Sequence, residues 1–174
     1  HPDGSFFHLS GWCEAIKSAY GYEPIYLTAR RGDVIVGLLP LIDVRAPLLG
    51  RSLISTAFTI GGGPIADDDE VLGALLDAAA VEGEKRRVHY EECRCNFNAD
   101  NYWLKKPGIS AVFRLAMPQN TDEALQAIPK RRRADVRKGL KAAESGQLAV
   151  RHDGSPETFY RFYSGSLRRL GTPV

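Results

Sequence analysis

The sequence has few of the residues that mark specialised classes of protein. Among 174 residues there are 3 cysteines, 4 histidines and 1 methionine, Met117. No apolar run approaches the roughly 18 residues that a membrane-spanning helix needs, and there is no secretory leader of basic then apolar residues. The formal net charge is only +2, so the overall charge balance does not indicate a protein that binds polyanions with its whole surface. We therefore expect a soluble, cytoplasmic protein in which any basic function is local.

The cysteines and histidines form no recognisable metal or nucleophile pattern. Cys93 and Cys95 lie two residues apart in a predicted strand, but zinc would require four convergent ligands and only His89 is close in sequence. We expect reduced, partly buried thiols and no metal site. No serine lies in a nucleophile-elbow pattern, so covalent catalysis is unsupported. We expect His8 to pack at the start of a helix rather than to act in catalysis.

Hydrophobic periodicity predicts alternating helices and strands in the first two thirds of the chain. The predicted elements are a helix over 10–20, a hairpin over 24–44 that turns at Arg31-Gly32-Asp33, a strand over 52–60, a helix over 68–86, and strands over 88–95 and 111–117. Ser10 is the expected N-cap of the first helix, and Gly21 its stop. This order predicts an α/β (α+β) fold with a mixed sheet flanked by helices.

The last third of the sequence is predicted to be mainly helical. The elements are a helix over 121–128 capped by Thr121, a helix that has Pro129 as its first residue and stops at Gly146, a strand over 147–153, and a helix over 155–171. Proline is favoured at the first position of a helix and glycine just after its end.

The run Gly61-Gly62-Gly63-Pro64 after a strand invites comparison with phosphate-binding loops. It lacks both the lysine of G-x-x-x-x-G-K-[ST] and the spacing of G-x-G-x-x-G. We expect these glycines to allow either a tight strand-to-helix turn or a close backbone approach to another segment.

The most informative stretch is residues 130–141, which carries a local charge of +6. Its seven cations, opposed by the single acid Asp135, are Lys130, Arg131, Arg132, Arg133, Arg137, Lys138 and Lys141. Helical spacing aligns residues 130, 133, 137 and 141 on one side and an apolar stripe on another. The segment therefore predicts a basic ridge on a helix.

Cations in the first turn of this helix oppose the helix dipole, each by roughly 0.3–1 kcal/mol if exposed. Exposed helix N–H groups together with arginine forks suit phosphate. The expected partner is a phosphorylated or nucleotide-linked precursor, or the acceptor end of a tRNA. A solvated basic face without function is the alternative. Duplex DNA is not expected, since no helix-turn-helix or finger pattern is present.

Four segments together resemble FemAB-like proteins of the GNAT superfamily, closest to the subgroup associated with exosortase/PEP-CTERM systems. They are FFHLSGW with IKSAYGY, the hairpin YLTARRGDVIVGLLPL, IPKRRRADVRKGLKA, and SLRRLGTPV. The basic helix followed by R-R-L-G-T-P is the most specific part of this resemblance.

The resemblance implies two GNAT-like lobes and an enzyme that transfers an amino acid from aminoacyl-tRNA to an amine of a cell-wall or surface-polymer precursor, with no bound cofactor. Residues 1–128 would form the first lobe, and 129–174 would open a second lobe that continues beyond Val174. We also expect sequence before His1. On its own the chain would hold an incomplete active site.

By position, the resemblance assigns a precursor-contacting role to Lys17 and places Arg168 and Arg169 in the motif that enters the second lobe, where they serve either binding or structure. No catalytic base is assigned. One alternative is an acyl-CoA-dependent N-acyltransferase of the GNAT fold, although no segment fits its pyrophosphate loop. The other is a non-catalytic binding module in exopolysaccharide or surface-protein export.

Overall fold

A computed structural model describes residues 1–48, 50–95, 103–106, 115–152 and 154–172. The chain folds as two compact units, His1–Lys106 and Pro107–Val174. The division falls before the boundary between residues 128 and 129 that we predicted for the two lobes. Within the described ranges, no helix has both the length and the apolar character needed to cross a bilayer.

The first unit is built on a mixed sheet. Its elements are a 3-10 helix Phe6–His8, α1 (Ser10–Tyr20), β1 (Glu23–Arg31), β2 (Val34–Ala46), β3 (Gly50–Ser55), β4 (Ile65–Ala66), α2 (Asp69–Arg86) and β5 (Tyr90–Glu92). The strand order is β1-β2-β3-β5, and β4 also pairs with β2. β1, β2 and β3 run antiparallel, whereas β3 and β5 are parallel. The predicted mixed sheet flanked by helices is confirmed.

Each face of this sheet is covered by one helix, because successive side chains of a strand point to opposite faces. Leu39, Leu41 and Leu53 belong to a buried cluster with Val71 and Leu75 of α2. On the other face, a second buried cluster joins two residues of β2 and β3 to two residues of α1: Ile42, Ile54, Cys13 and Ile16.

The helix ends of this unit follow from their capping residues. The Asp68 side chain accepts a hydrogen bond from the backbone N–H of Val71 at the start of α2, so this helix closely matches its prediction. α1 ends at Gly21, as predicted, with a left-handed φ of 70°. Its N-cap is Leu9 rather than Ser10, which is the first helical residue.

Two strands are shorter than the sequence predicted. β3 ends at Ser55 because Thr56 and Phe58 adopt positive φ values of 42° and 68°, which are incompatible with extended structure. β5 covers only Tyr90–Glu92 of the predicted 88–95. Of the strand predicted over 111–117, residues 111–114 lie outside the described residues, and 115–117 form no strand.

The second unit, where described, contains α3 (Thr121–Ala127), α4 (Lys130–Glu144) and α5 (Pro156–Leu170). All three helices were predicted, with small errors at their starts. The Asn120 side chain, not that of Thr121, accepts from the backbone N–H of Glu123. Pro129 is the N-cap of α4 rather than its first helical residue.

The strand predicted over 147–153 is wrong for residues 147–152, which are in no strand, and residue 153 lies outside the described residues. Leu148 and Val150 alternate with polar residues, as in a half-buried strand. They lie 51% and 75% exposed, with no strand among the described residues to pair with them. Alternation alone does not form a strand without a hydrogen-bonding neighbour.

None of the described residues of the second unit is buried. α5 in particular leaves all four of its aromatic side chains exposed: Phe159, Tyr160, Phe162 and Tyr163. The rings of Phe159 and Tyr163 stack at 5.4 Å on one side of the helix. This unit therefore offers its side chains to solvent to a much greater extent than the first.

Candidate functional site

The predicted basic segment forms α4, and most of its cations lie on one side of the helix. Each residue of an α-helix advances by about 100°, so five cations fall within an arc of about 120°. We call these five residues the basic face: Lys130, Arg131, Arg137, Lys138 and Lys141. All five are exposed, whereas Val136 on the opposite side is half-buried.

Arg133 does not belong to the basic face, although its spacing predicted that it would align with Lys130 and Arg137. Its side chain is turned towards the end of α3. The Arg133 Nε donates to the carbonyl of Ile128 at 2.9 Å, and Nη2 donates to the carbonyl of Gln126 at 2.8 Å. Carbonyls at a helix C-terminus have no partner within the helix. Arg133 therefore caps α3.

Arg132 also lies outside the basic face, on its own flank of α4. Its Nη1 is 4.0 Å from the Asp135 carboxylate, and both side chains are about two-thirds exposed, at 70% and 66%. Such exposed pairs contribute little to stability. Arg132 is therefore a first-turn cation of α4 that lies outside the arc of the basic face.

The N-terminus of α4 differs sharply from that of α2. α2 has the Asp68 cap and Asp69 and Glu70 in its first turn, which match the positive end of the helix dipole. At α4 the N-cap is Pro129, which has no side-chain acceptor, and the first turn contains no acid. Its free N–H groups therefore lie next to cations, an arrangement that would attract an anion.

The remaining predicted site residues lie apart from the basic face in sequence. Lys17 is in the last turn of α1, where its Nζ is 3.0 Å from the Glu23 carboxylate. Both side chains are about half exposed, at 47% and 57%, so the ion pair contributes little to stability. The predicted precursor-contacting role of Lys17 remains a prediction.

Arg168 and Arg169 are exposed in the last turn of α5, where cations suit the helix dipole. Gly171 ends the helix with φ 73°. Its N–H donates to the Arg168 carbonyl at 3.1 Å, and the Thr172 N–H donates to the Leu167 carbonyl at 3.0 Å. This pattern is a Schellman motif. The R-R-L-G-T sequence is thereby explained as a helix end, and a binding role for the two arginines stays a prediction.

The first unit contains a charge cluster that sequence reasoning missed. The side chain of Asp43 is 0% exposed and is surrounded by the guanidinium groups of Arg45, Arg51 and Arg86. Arg51 binds the carboxylate through Nε at 2.7 Å and Nη2 at 2.5 Å, and its Nη1 donates to the Arg86 carbonyl at 2.7 Å. One buried acid thus positions three cations.

The hydrogen bonds from Arg51, assisted by those from Arg45, lower the pKa of Asp43 from 3.8 to about 2, against the opposing effect of burial. Asp43 is therefore ionised throughout the neutral range, and the arginines stay fixed around it. Only the spacing Asp43-x-Arg45, which places both side chains on one face of β2, signalled this cluster in the sequence.

The glycine run makes close backbone approaches rather than a phosphate cradle. A Cβ on Gly62 would collide with the Thr56 side chain, and one on Gly63 would lie 2.7 Å from the Cys95 Cβ. His8 fixes the same loop, since its Nε2 is 2.8 Å from the Gly63 carbonyl oxygen. His8 therefore has a structural contact with this loop, and the absence of a catalytic role stays a prediction.

Two other titratable groups of the first unit have shifted pKa values. Burial raises the pKa of Cys93 to about 12, which keeps this thiol protonated at neutral pH. Burial also raises the pKa of Glu91, and the nearby Glu84 adds to this. The described residues contain no group of three or more His, Cys, Asp or Glu side chains that could hold a metal ion.

Comparisons with known proteins give no relative. No family model matches the chain, and no curated protein or solved structure is significantly similar to it.

Proposed function

We propose that this chain is part of a FemAB-like transferase, and that the basic face of α4 binds the phosphates of an aminoacyl-tRNA end or of a nucleotide-linked precursor. One observation carries the proposal. Five exposed cations share one arc of a helix whose N-terminus has neither a side-chain cap nor an acid in its first turn.

The arrangement is unfavourable for the helix alone but favourable for an anionic ligand. Cations near a helix N-terminus cost roughly 0.3–1 kcal/mol each when exposed. A phosphate group there would accept hydrogen bonds from backbone N–H groups and from the arginine forks, and these charge-assisted bonds are stronger than neutral ones. Local conflicts of this kind are expected at functional sites.

The first unit supports the transferase part of the proposal at the level of architecture. Apart from the two-residue strand β4, the elements of this unit follow an α-β-β-β-α-β order, and β5 is parallel to β3. This order is what we expect of a GNAT-like lobe. The proposal places the protein in the cytoplasm, where aminoacyl-tRNA is available. The amino acid would pass to an amine of a surface-polymer or cell-wall precursor.

The acidic start of α2 weighs against the alternative of an acyl-CoA-dependent enzyme. In that alternative, the N-terminus of α2 would receive a pyrophosphate. Here that end carries Asp68, Asp69 and Glu70, and Arg31, which pairs with Asp68 and Glu70, balances only one of the three charges. Like charges would repel the pyrophosphate, so we favour the basic face of α4 as the site of phosphate binding.

The proposal is tested by the salt dependence of binding between the chain and aminoacylated tRNA, measured by fluorescence anisotropy. The double variant Arg137→Gln/Lys138→Gln should bind at least about tenfold more weakly. Its slope of log K against log salt should fall by about 1.4, because each lost single-strand phosphate contact removes about 0.7. Both side chains are exposed, so folding should be unaffected.

A matched control is Arg30→Gln/Arg161→Gln, which removes the same charge at exposed positions outside α4. It should leave the affinity and the salt slope close to those of the wild type. Equal losses in the two variants would mean that only net charge matters and would reject the site.

Parallel titrations with acetyl-CoA and a uridine-diphosphate-linked amino sugar identify the preferred ligand, since a ligand stabilises the folded state that it binds. Preference for acetyl-CoA would reject the aminoacyl-tRNA proposal. Binding of tRNA without transfer of its amino acid to an added amine would favour the non-catalytic binding module.

A further inference from the structure

We propose a second phosphate-binding site in the first unit, formed by Arg45, Arg51 and His89. This inference does not rest on the proposed function, because none of its residues belongs to α4. The three side chains line an open cleft of about 420 Å³. The cleft is completed by Ala46, Pro47 and Gly50, which belong to or adjoin the ends of β2 and β3.

The register of the sheet brings two cations face to face at this cleft. Arg45 and Arg51 are directly opposite each other on the antiparallel strands β2 and β3. Like charges in such positions repel and destabilise a sheet. Here the pair is held by the buried carboxylate of Asp43, which lies 3.1 Å from the Nη2 of Arg45.

The cluster keeps a positive excess after its internal pairs are counted. Asp43 neutralises one of the three guanidinium groups, and Glu82 pairs with Arg86 at 2.9 Å and with Lys85 at 3.1 Å. The C-terminus of α2 adds roughly half a negative charge, which reduces the excess without removing it. An anion in the cleft would therefore meet a net positive potential.

Hydrogen-bond donors remain available for such an anion. Arg45 is 63% exposed and uses one Nη2 bond to Asp43, out of the five N–H donors of a guanidinium. The His89 Nδ1 accepts from the backbone N–H of Arg51 at 3.2 Å. The same Nδ1 lies 3.4 Å from the Arg51 carbonyl oxygen. A planar guanidinium fork beside an imidazole ring suits the oxygens of a phosphate group.

The rim of the cleft suggests where the phosphate comes from. Leu48 is 97% exposed in the turn between β2 and β3, next to the lining residue Pro47. An apolar side chain beside cations suits the boundary between lipid headgroups and acyl chains. A free phosphorylated molecule offers the same anionic chemistry without using Leu48, so the two sources can be separated by experiment.

The first arm titrates the isotope-labelled chain with inorganic phosphate and follows the His89 ring and the Gly50 amide by NMR. We expect saturable shifts at both positions. Arg45→Gln should weaken the affinity about tenfold, and Arg45→Lys less, because lysine keeps the charge but loses the fork. Arg30→Gln removes an exposed charge in β1 and should leave the affinity unchanged. His89→Asn, at an exposed ring, provides a second test if Arg45→Gln fails to fold.

The second arm measures sedimentation with vesicles of phosphatidylglycerol and phosphatidylcholine. Binding that is weakened by both Arg45→Gln and Leu48→Ser assigns the site to a lipid headgroup, whereas phosphate binding without vesicle binding assigns it to a free ligand. The proposal is overturned if phosphate causes no saturable shift at His89 and Gly50. Equal weakening by Arg30→Gln and Arg45→Gln, in either arm, would overturn it as well.

Discussion

The two units of the chain differ most in what they bury. In the first, leucines of β2 and β3 such as Leu39 and Leu53 are 0% exposed beneath α2, and each such side chain stabilises the fold by roughly 1.5–3 kcal/mol. In the second, none of the described residues is buried, and most of the large apolar side chains of α5 face solvent. Stability is therefore concentrated in the first unit, and substitutions in the second should test binding without unfolding the chain.

The largest expected difference in the free energy of unfolding is between two Asp→Asn substitutions. Asp43→Asn removes the buried carboxylate that holds three guanidinium groups, and should cost about 3–5 kcal/mol at neutral pH. Asp122→Asn, at an exposed position of α3, should change the free energy of unfolding by less than about 0.5 kcal/mol. Urea unfolding measures both values.

The pH dependence of the Asp43 effect has a definite sign. The pKa of this carboxylate is about 2 in the folded chain and 3.8 ordinarily, so its stabilising effect is full above about pH 4 and is lost as the pH falls towards 2. The wild type should therefore lose about 2 kcal/mol relative to Asp43→Asn over this window. Parallel curves for the two proteins would contradict the assignment.

A second contrast compares leucines. Leu39→Ala leaves a cavity in the core and should cost about 2–5 kcal/mol. Leu170→Ala, at a side chain that is 74% exposed at the end of α5, should cost less than about 0.5 kcal/mol. A cost above about 2 kcal/mol for Leu170→Ala would show that α5 is covered in solution and would break the comparison.

The smallest contrast compares two Gly→Ala substitutions, for which we predict stability changes of opposite sign. A Cβ on Gly37 in β2 would lie 2.5 Å from the Val71 Cγ1 and 3.0 Å from the Leu75 Cδ1, so Gly37→Ala should cost about 1–3 kcal/mol by overpacking. Gly139 in α4 has open space around it. Gly139→Ala should raise helix stability by about 1 kcal/mol, detectable as increased helical circular dichroism. Stabilisation by both substitutions would contradict the packing described for β2.

The five α-helices and the β1–β2 hairpin could be predicted because their signals are local. Gly21 stops α1, and Asp68 with an acidic first turn starts α2. Helix starts were misplaced by about one residue where two capping residues are adjacent, as at Asn120 and Thr121. The strand predictions were less reliable. Leu148 and Val150 show the apolar–polar alternation of a strand but have no partner strand among the described residues.

The Asp43 cluster could not be derived from the sequence because its members meet only through the register of the sheet. Arg51 faces Arg45 across two strands, and Arg86 arrives from the last turn of α2. The available signal was the spacing Asp43-x-Arg45, which places an acid and a cation on one face of β2. Similarly, the run of cations gave the basic face of α4, but spacing alone could not show that Arg133 turns towards α3.

The bonds from Arg133 to the end of α3 make the short junction at Ile128 and Pro129 a fixed elbow. Ile128 and Pro129 are extended rather than helical, so an inserted residue at this elbow would add up to about 3.5 Å of chain between α3 and α4. That shift would separate the Arg133 guanidinium from its carbonyls and change the direction of the basic face. The length of this junction therefore helps to set the direction in which the cations of the basic face point. Substitutions at the elbow should be tolerated more readily than insertions or deletions.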